Sequence, residues 1–327
     1  MSRPPIFPPP QFPPVKLRMF QRMPPAVFPA IMGLFGLGLA LRRAATAQLV
    51  PAALAEVVLG AVSLIWAFAA LGYLVKMAQR RGVLLEDLAV LPGRTGLAAM
   101  SLCVFLLAAV VLPYAPEVAR AMMFAGLILH AGLALMILWW HRTVAPEARA
   151  VTPAWHLHFV GFIIAGVTAV PLGYDGFGQI LLYLSLAVAV LIYAASLRQL
   201  IGRIPPAPLR PLLAIHLAPP SLLGLVAALL GYGVLAQSFA VFGALVLVAL
   251  LVAARWITAA GFSALWGAFC FPLAAYGSLL IVLDGVWIWP GVAVLMATLA
   301  IVPLIAIKVF QGWTRGTLAA KTNAATA

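Results

Sequence analysis

Trp266-Gly-Ala-Phe-Cys-Phe-Pro-Leu-Ala-Ala-Tyr276 lies inside an apolar run from Gly261 to Leu283. As a helix that run is long enough to cross the roughly 30 Å hydrocarbon core of a bilayer, and Pro272 stands near its middle. Proline has no amide hydrogen, so the carbonyl of Ala268 loses its helical partner. In hydrocarbon an unpaired carbonyl is costly unless neighbouring helices or a water-filled cavity satisfy it. The stretch therefore predicts an interior, broken membrane helix in which Phe271, just before the break, faces whatever the helix encloses. Phe269 lies about 200° away around the same helix, so the two phenylalanines do not share a face.

A second stretch has the same pattern. Leu212-Leu-Ala-Ile-His-Leu-Ala-Pro-Pro-Ser-Leu-Leu-Gly-Leu-Val226 carries Pro219 and Pro220, which are expected to free the carbonyls of Ile215 and His216. Two broken helices predict a pathway through the membrane.

Composition fixes the class. The 327 residues are 65% hydrophobic and 8% charged, with a mean hydropathy of +1.13, whereas soluble domains carry about 25% charged residues. This is an all-α integral membrane protein, and no polar segment is long enough for a soluble domain. The net charge of +13 invites a nucleic-acid partner, but the basic residues sit in short loops where membrane topology explains them. Cys103 and Cys270 fall inside predicted spans without metal-ligand spacing. They read as packing residues, and neither a metal site nor a cofactor is expected.

Ten apolar runs follow one another: 25–41, 54–77, 93–112, 118–140, 155–174, 177–197, 209–232, 236–256, 261–283 and 288–310. They form one membrane domain over residues 25–310. A Pro-rich basic tail, 1–24, precedes it, and a second tail, 311–327, follows. Tight turns at Tyr174–Phe177 and Gly231–Val234 make successive helices antiparallel neighbours. The chain ends and the loops after even spans hold 17 of the 20 Lys and Arg; the opposite side holds Arg42, Arg43 and Arg120. Both termini are thus predicted cytoplasmic in a multi-pass membrane protein. Prolines and glycine clusters favour odd spans: Pro29 with Gly33, Gly36 and Gly38, then Pro171, Pro219–Pro220 and Pro272, with Pro303 in the tenth span the exception. A repeated helical hairpin with its first member facing inward accounts for this.

Candidate functional groups are few. The carboxylates fall in loops or at span ends apart from Glu56, near the start of the second span. Cation carriers keep carboxylates at mid-membrane, so an uncharged route suited to anions is favoured. Helix N-termini at the breaks favour negative charge. Ser221, Ser278, Thr168 and the backbone at Gly33 are candidates to line that route. His216, beside the Pro-Pro break, is the candidate titrating group, against a plainer reading as a hydrogen-bonded interhelical histidine. His156 and His158 sit beside Trp155 and read as interfacial anchors, while His130 lies mid-span. Trp139, Trp140, Trp155, Trp256, Trp287 and Trp289 mark span ends as an aromatic belt.

Three segments carry a family resemblance. Pro25-Ala-Val-Phe-Pro-Ala-Ile-Met-Gly33, His216-Leu-Ala-Pro-Pro-Ser221 and Phe271-Pro-Leu-Ala-Ala275 resemble the tellurite-resistance/dicarboxylate transporter family, the TehA-like group related to the plant guard-cell slow anion channel. The resemblance implies five helical hairpins around a central pore kinked at Pro29, Pro171, Pro219, Pro220 and Pro272. It further implies a phenylalanine gate at Phe271, with Phe269 as fallback, and a homotrimer with one pore per subunit. The third span, begun at Gly93, departs from this in lacking a mid-helix proline.

The expectation is a non-enzymatic anion channel or channel-like exporter, with small inorganic or organic anions and the lipid bilayer as its partners. The alternative is a proton-coupled C4-dicarboxylate or sulfite carrier. A membrane-embedded haem or redox enzyme is the remote alternative, and it would need paired histidines at one depth.

Overall fold

The computed structural model describes residues 19–144 and 149–327. Residues 1–18, most of the predicted N-terminal tail, and Glu147 lie outside the described residues. Long apolar segments in hydrocarbon must pair every backbone polar group internally, so they become helices. No strand occurs among the described residues. Among the described residues nine helices are long and apolar enough to span a membrane: α1 Pro25–Thr46, α2 Ala52–Gln79, α3 Leu91–Val111, α4 Pro116–Thr143, α6 Asp175–Gly202, α7 Ala207–Leu229, α8 Gly233–Val252, α9 Ala264–Leu283 and α10 Gly285–Thr314. Between α4 and α6 lies the shorter α5, His156–Ala169.

α5 corrects the sequence reading. It was expected to run to Tyr174, but the chain turns at Val170–Gly173, where Gly173 adopts φ +84°. Pro171 sits exposed in that turn and ends the helix instead of kinking it. A residue without an amide hydrogen cannot extend the ladder, and a glycine at positive φ reverses the chain two residues later.

The helices sort into two layers. In the most apolar window of α1, α3, α7 and α9, between 72 and 83% of residues are buried, against 17–33% in α2, α4, α6, α8 and α10. α5 is also largely buried. The odd helices form a closed ring, α1 packing on α3, α3 on α5, α5 on α7, α7 on α9 and α9 back on α1. Each even helix covers the odd helix before it. This is the predicted set of five hairpins, each contributing one inner helix.

Close approach within the ring depends on two glycines of α1. A Cβ on Gly33 would collide with Cys270 of α9, and one on Gly36 would lie 3.0 Å from Cδ2 of Phe271 and 2.9 Å from Cβ of Ala274. At the end of the bundle where Gln21 meets Ala327, basic residues lie over aromatic rings. The Arg94 guanidinium is 3.9 Å from the Trp140 centroid and that of Arg210 is 4.3 Å from Trp256, an arrangement suited to a membrane interface.

Candidate functional site

All five inner helices contribute to one cavity of about 60 Å³ on the axis of the ring, room for roughly four waters. The N-terminal half of each of these helices contributes, and α3, α5 and α7 add Leu102, Ile164, Pro219 and Leu222 from beyond their midpoints. α1 supplies Pro29 and Met32, α3 Pro92 and Thr95, α5 His156 and Ile164, α7 Ile215 and Pro219, and α9 Ala268, Phe271 and Pro272. Four of these helix starts depart from α geometry. Pro25–Val27, Gly161–Ala165, Ala207–Leu217 and Ala264–Trp266 are 3₁₀-helical, and His156–Val160 is a π turn. Such departures cluster at functional positions because they redirect backbone groups. The exception, α3, opens on Pro92. The sequence reading excluded that proline by starting the span one residue later, yet it lines the cavity.

Phe271 is 6% exposed and lines the cavity, its ring resting against α1 at Gly36. Ala268, whose carbonyl Pro272 cannot receive, lines it as well. Phe269 lies elsewhere, in a separate cavity of about 570 Å³ bounded by α7, α8, α9 and α10, with Lys308 as its one charged lining residue. The 200° separation of the two phenylalanines thus places one on the axis and the other on the outer side.

The Pro-Pro break differs from expectation. Pro219 and Pro220 occupy the first turn of the α-helical segment Ala218–Leu229, which continues the 3₁₀ stretch before it. Proline is well tolerated in a first turn. The carbonyls expected to be free are in use: Ala218 N–H donates to Ile215 O, and the Tyr193 hydroxyl donates to His216 O. Ser221, buried, donates to Leu217 O at 2.6 Å. It does not line the cavity, nor do Gly33, Pro220 and His216.

His130, His156, His158 and His216 are interior, while His141 is partly exposed in the last turn of α4. His156 and His158, read as interfacial anchors, are 3% and 1% exposed, because the π turn carries them into the ring. His156 Nε2 lies 3.0 Å from His216 Nδ1, and His216 Nε2 lies 3.0 Å from Ser196 Oγ. The plainer reading of His216, a hydrogen-bonded interhelical group, is what the geometry shows. His130 pairs through Nδ1 with Ser101 Oγ at 2.8 Å.

Beyond Phe271 the same helix faces continue. Thr168 follows Ile164 by one turn and is buried with its hydroxyl unpartnered among the described residues. Ser278 follows Phe271 by two turns. Arg43 follows Met32 by three turns, about 20° off its azimuth and about 16 Å along the axis. Its neighbour Arg42 is tied to Glu56 at 2.6 Å and to the carbonyls of Ala109 and Val110 at 3.1 Å. Arg43 has no carboxylate partner among the described residues.

Sequence reasoning missed one polar cluster. Lys76, at the end of the second predicted run, and Asp87, assigned to a loop, are fully buried and paired at 2.7 Å. Asp87 stands on a short helix, Val83–Ala89. It accepts the Tyr73 hydroxyl at 3.0 Å and the amide of Ala325 at 2.8 Å, and Lys76 Nζ also donates to Met23 O at 3.0 Å. The cluster joins α2, the segment before α1 and the residues after α10. The spacing of Lys76 and Asp87 about the turn after α2 was the only signal available.

No characterised protein matches the chain in sequence. The voltage-dependent anion channel family model, SLAC1, matches residues 22–311, which takes in nine helices whole, α10 but for its last three residues, the cavity and Phe271, and the chain belongs to this family of membrane anion channels and transporters.

Proposed function

We propose that this protein is an anion channel in which small monovalent anions pass along the axis of the inner ring and Phe271 closes the passage. The observation that carries the proposal is that the N-terminal halves of all five inner helices line one cavity whose wall includes Phe271. Helix N-termini favour negative charge, and no acidic side chain among the described residues lines the cavity. An unsolvated aromatic constriction blocks ions by denying them water. The opposite mouth offers Arg43 on the same face of α1.

The cavity's size and chemistry speak for small inorganic anions over C4-dicarboxylates. A dianion of that size needs counter-charges or a dense set of donors when it leaves water, and the lining supplies neither. We further propose that the membrane is a bacterial inner membrane, that both chain ends are cytoplasmic, following the distribution of Lys and Arg, and that the protein is a TehA-like homotrimer. Native mass spectrometry of the detergent-solubilised protein tests the trimer.

The deciding experiment compares currents of wild type and Phe271→Ala in planar bilayers under chloride, nitrate and malate gradients. An anion-selective current at least tenfold larger in the variant is expected. Equal currents from two stably folded proteins would remove Phe271 as the gate. Malate uptake that follows a proton gradient, without current, would replace the channel by the coupled carrier.

A further inference from the structure

One side chain of the cavity wall carries a buried polar atom with nothing to bind among the described residues. Only Thr95 and His156 among its lining residues have polar side chains, and the Thr95 hydroxyl is spent on Leu91 O and Pro92 O at 3.0 and 3.1 Å. His156 is different. Its Nε2 is committed to His216, while its Nδ1 is buried without a partner among the described residues. Buried polar atoms are nearly always paired. An unpaired one in a side chain lining a cavity large enough for a small solute marks a ligand position.

The protonation of that nitrogen follows from the chain behind it. Hydrogens can be placed along Ser196, His216 and His156 in two ways. Ser196 is buried, and the bond to His216 is its one bond among the described residues, so its hydroxyl hydrogen has His216 Nε2 as acceptor. His216 then carries its own hydrogen on Nδ1 and donates it to His156 Nε2. That leaves the hydrogen of His156 on Nδ1, where it is a donor. Tyr193 fixes the middle of the chain, its ring stacked on His216 with centroids 4.9 Å apart and its hydroxyl bonded to the His216 carbonyl. The chain therefore presents a neutral donor at the cavity, which suits an anion; a metal cation would require a bare nitrogen at the same place.

We propose that His156 Nδ1–H is the hydrogen-bond donor that holds the permeating anion in the central cavity, a site for a halide or nitrate. The inference rests on the central-pathway reading above but is independent of Phe271 as a gate. His216 and Ser196 are positioning residues, acting through the tautomer of His156.

Two measurements test it, and they fail separately. In the first, protein carrying ¹⁵N-labelled histidine in nanodiscs is titrated with bromide, with gluconate holding ionic strength constant. The His156 Nδ1 resonance, assigned by its absence from His156→Phe or, should that variant not fold, from His156→Gln, is expected to shift and saturate. No shift overturns the proposal. In the second, currents are compared in a Phe271→Ala background. His156→Phe should reduce bromide current about tenfold, the loss of roughly one hydrogen bond to an ion, and His156→Gln, which keeps a donor, should restore most of it. Unchanged current in both variants overturns the proposal while the channel stands. A saturating shift in a protein whose Phe271→Ala variant passes no current keeps the anion site and removes the channel.

Discussion

Two polar clusters in this molecule are equally buried and differ in how completely they are satisfied. Lys76 and Asp87 are sealed from solvent, and the Asp87 carboxylate accepts from Lys76, Tyr73 and Ala325 while Lys76 also reaches Met23 O. His156 is 3% exposed and has one nitrogen spent and one unspent. The first cluster ties together three parts of the chain and has no capacity left for a solute. The second holds one neighbour and leaves capacity in a side chain that lines a cavity. Buried polar groups are costly in either case, so the difference in saturation separates groups that hold the fold from groups that address something passing through it.

Breaking the saturated cluster should give the largest effect on stability. Asp87→Ala leaves Lys76 buried and unpaired and frees the amide of Ala325, and removing one partner of a buried pair costs about 3–5 kcal/mol. Thermal unfolding followed by fluorescence-detected size exclusion should show a loss of many degrees or no monodisperse protein. Replacing both members with apolar residues, Lys76→Met with Asp87→Leu, should recover most of that loss, since a well-packed apolar pair often equals a buried ion pair. If the double variant is as unstable as the single one, hydrogen bonds to Tyr73, Met23 and Ala325 carry the cluster in place of charge compensation.

The same contrast explains what the sequence revealed. Apolar run length and the alternation of proline-bearing spans disclosed the ten helices, the hairpins and the inner position of the odd ones, because hydrocarbon leaves the backbone no other solution. Phe271 and Phe269 were correctly set on different faces by helical periodicity alone. What escaped was where backbone geometry departs from the α-helix. His156 and His158 read as interfacial because an α-helix starting beside Trp155 would leave them there, and the π turn moves them inward. Pro219–Pro220 read as a mid-helix break because the 3₁₀ stretch before it has no sequence signature distinct from an α-helix. Asp87 read as a loop acid because its partners, Lys76 and Ala325, are brought to it only by tertiary structure.

Arg43 extends the comparison to full charges. Arg42, one residue earlier, is neutralised by Glu56, as Lys76 is by Asp87; Arg43, like His156, has capacity left among the described residues and lies on the face of α1 proposed to line the pathway. Arg43→Gln should lower anion current through a Phe271→Ala channel severalfold at low ionic strength, and the difference should vanish near 1 M salt, where screening shortens to about 3 Å. Arg42→Gln should instead lower stability with little change in the salt dependence of current. A salt-independent loss at Arg43 would place its effect in packing and remove it from the pathway.

The smallest effect is expected at Arg80 and Glu86, a pair beside Lys76 and Asp87 in sequence but open to solvent. Arg80 Nη2 donates to Glu86 Oε2 at 2.7 Å, with side chains 41% and 52% exposed. The hydrogen bond from Arg80 holds the Glu86 carboxyl below its ordinary value of 4.5. A carboxyl depressed on folding contributes stability above its unfolded value and loses that contribution as pH falls through the folded value. Solvent screens this pair and side-chain entropy opposes it, so Glu86→Gln should leave the melting temperature unchanged within error from pH 6 to 8. Any difference from wild type that does appear should shrink only below about pH 4.5. A loss at Glu86→Gln as large as that at Asp87→Ala would mean that the pairing of charges, and not the burial and saturation of the groups, sets the strength of this corner of the fold.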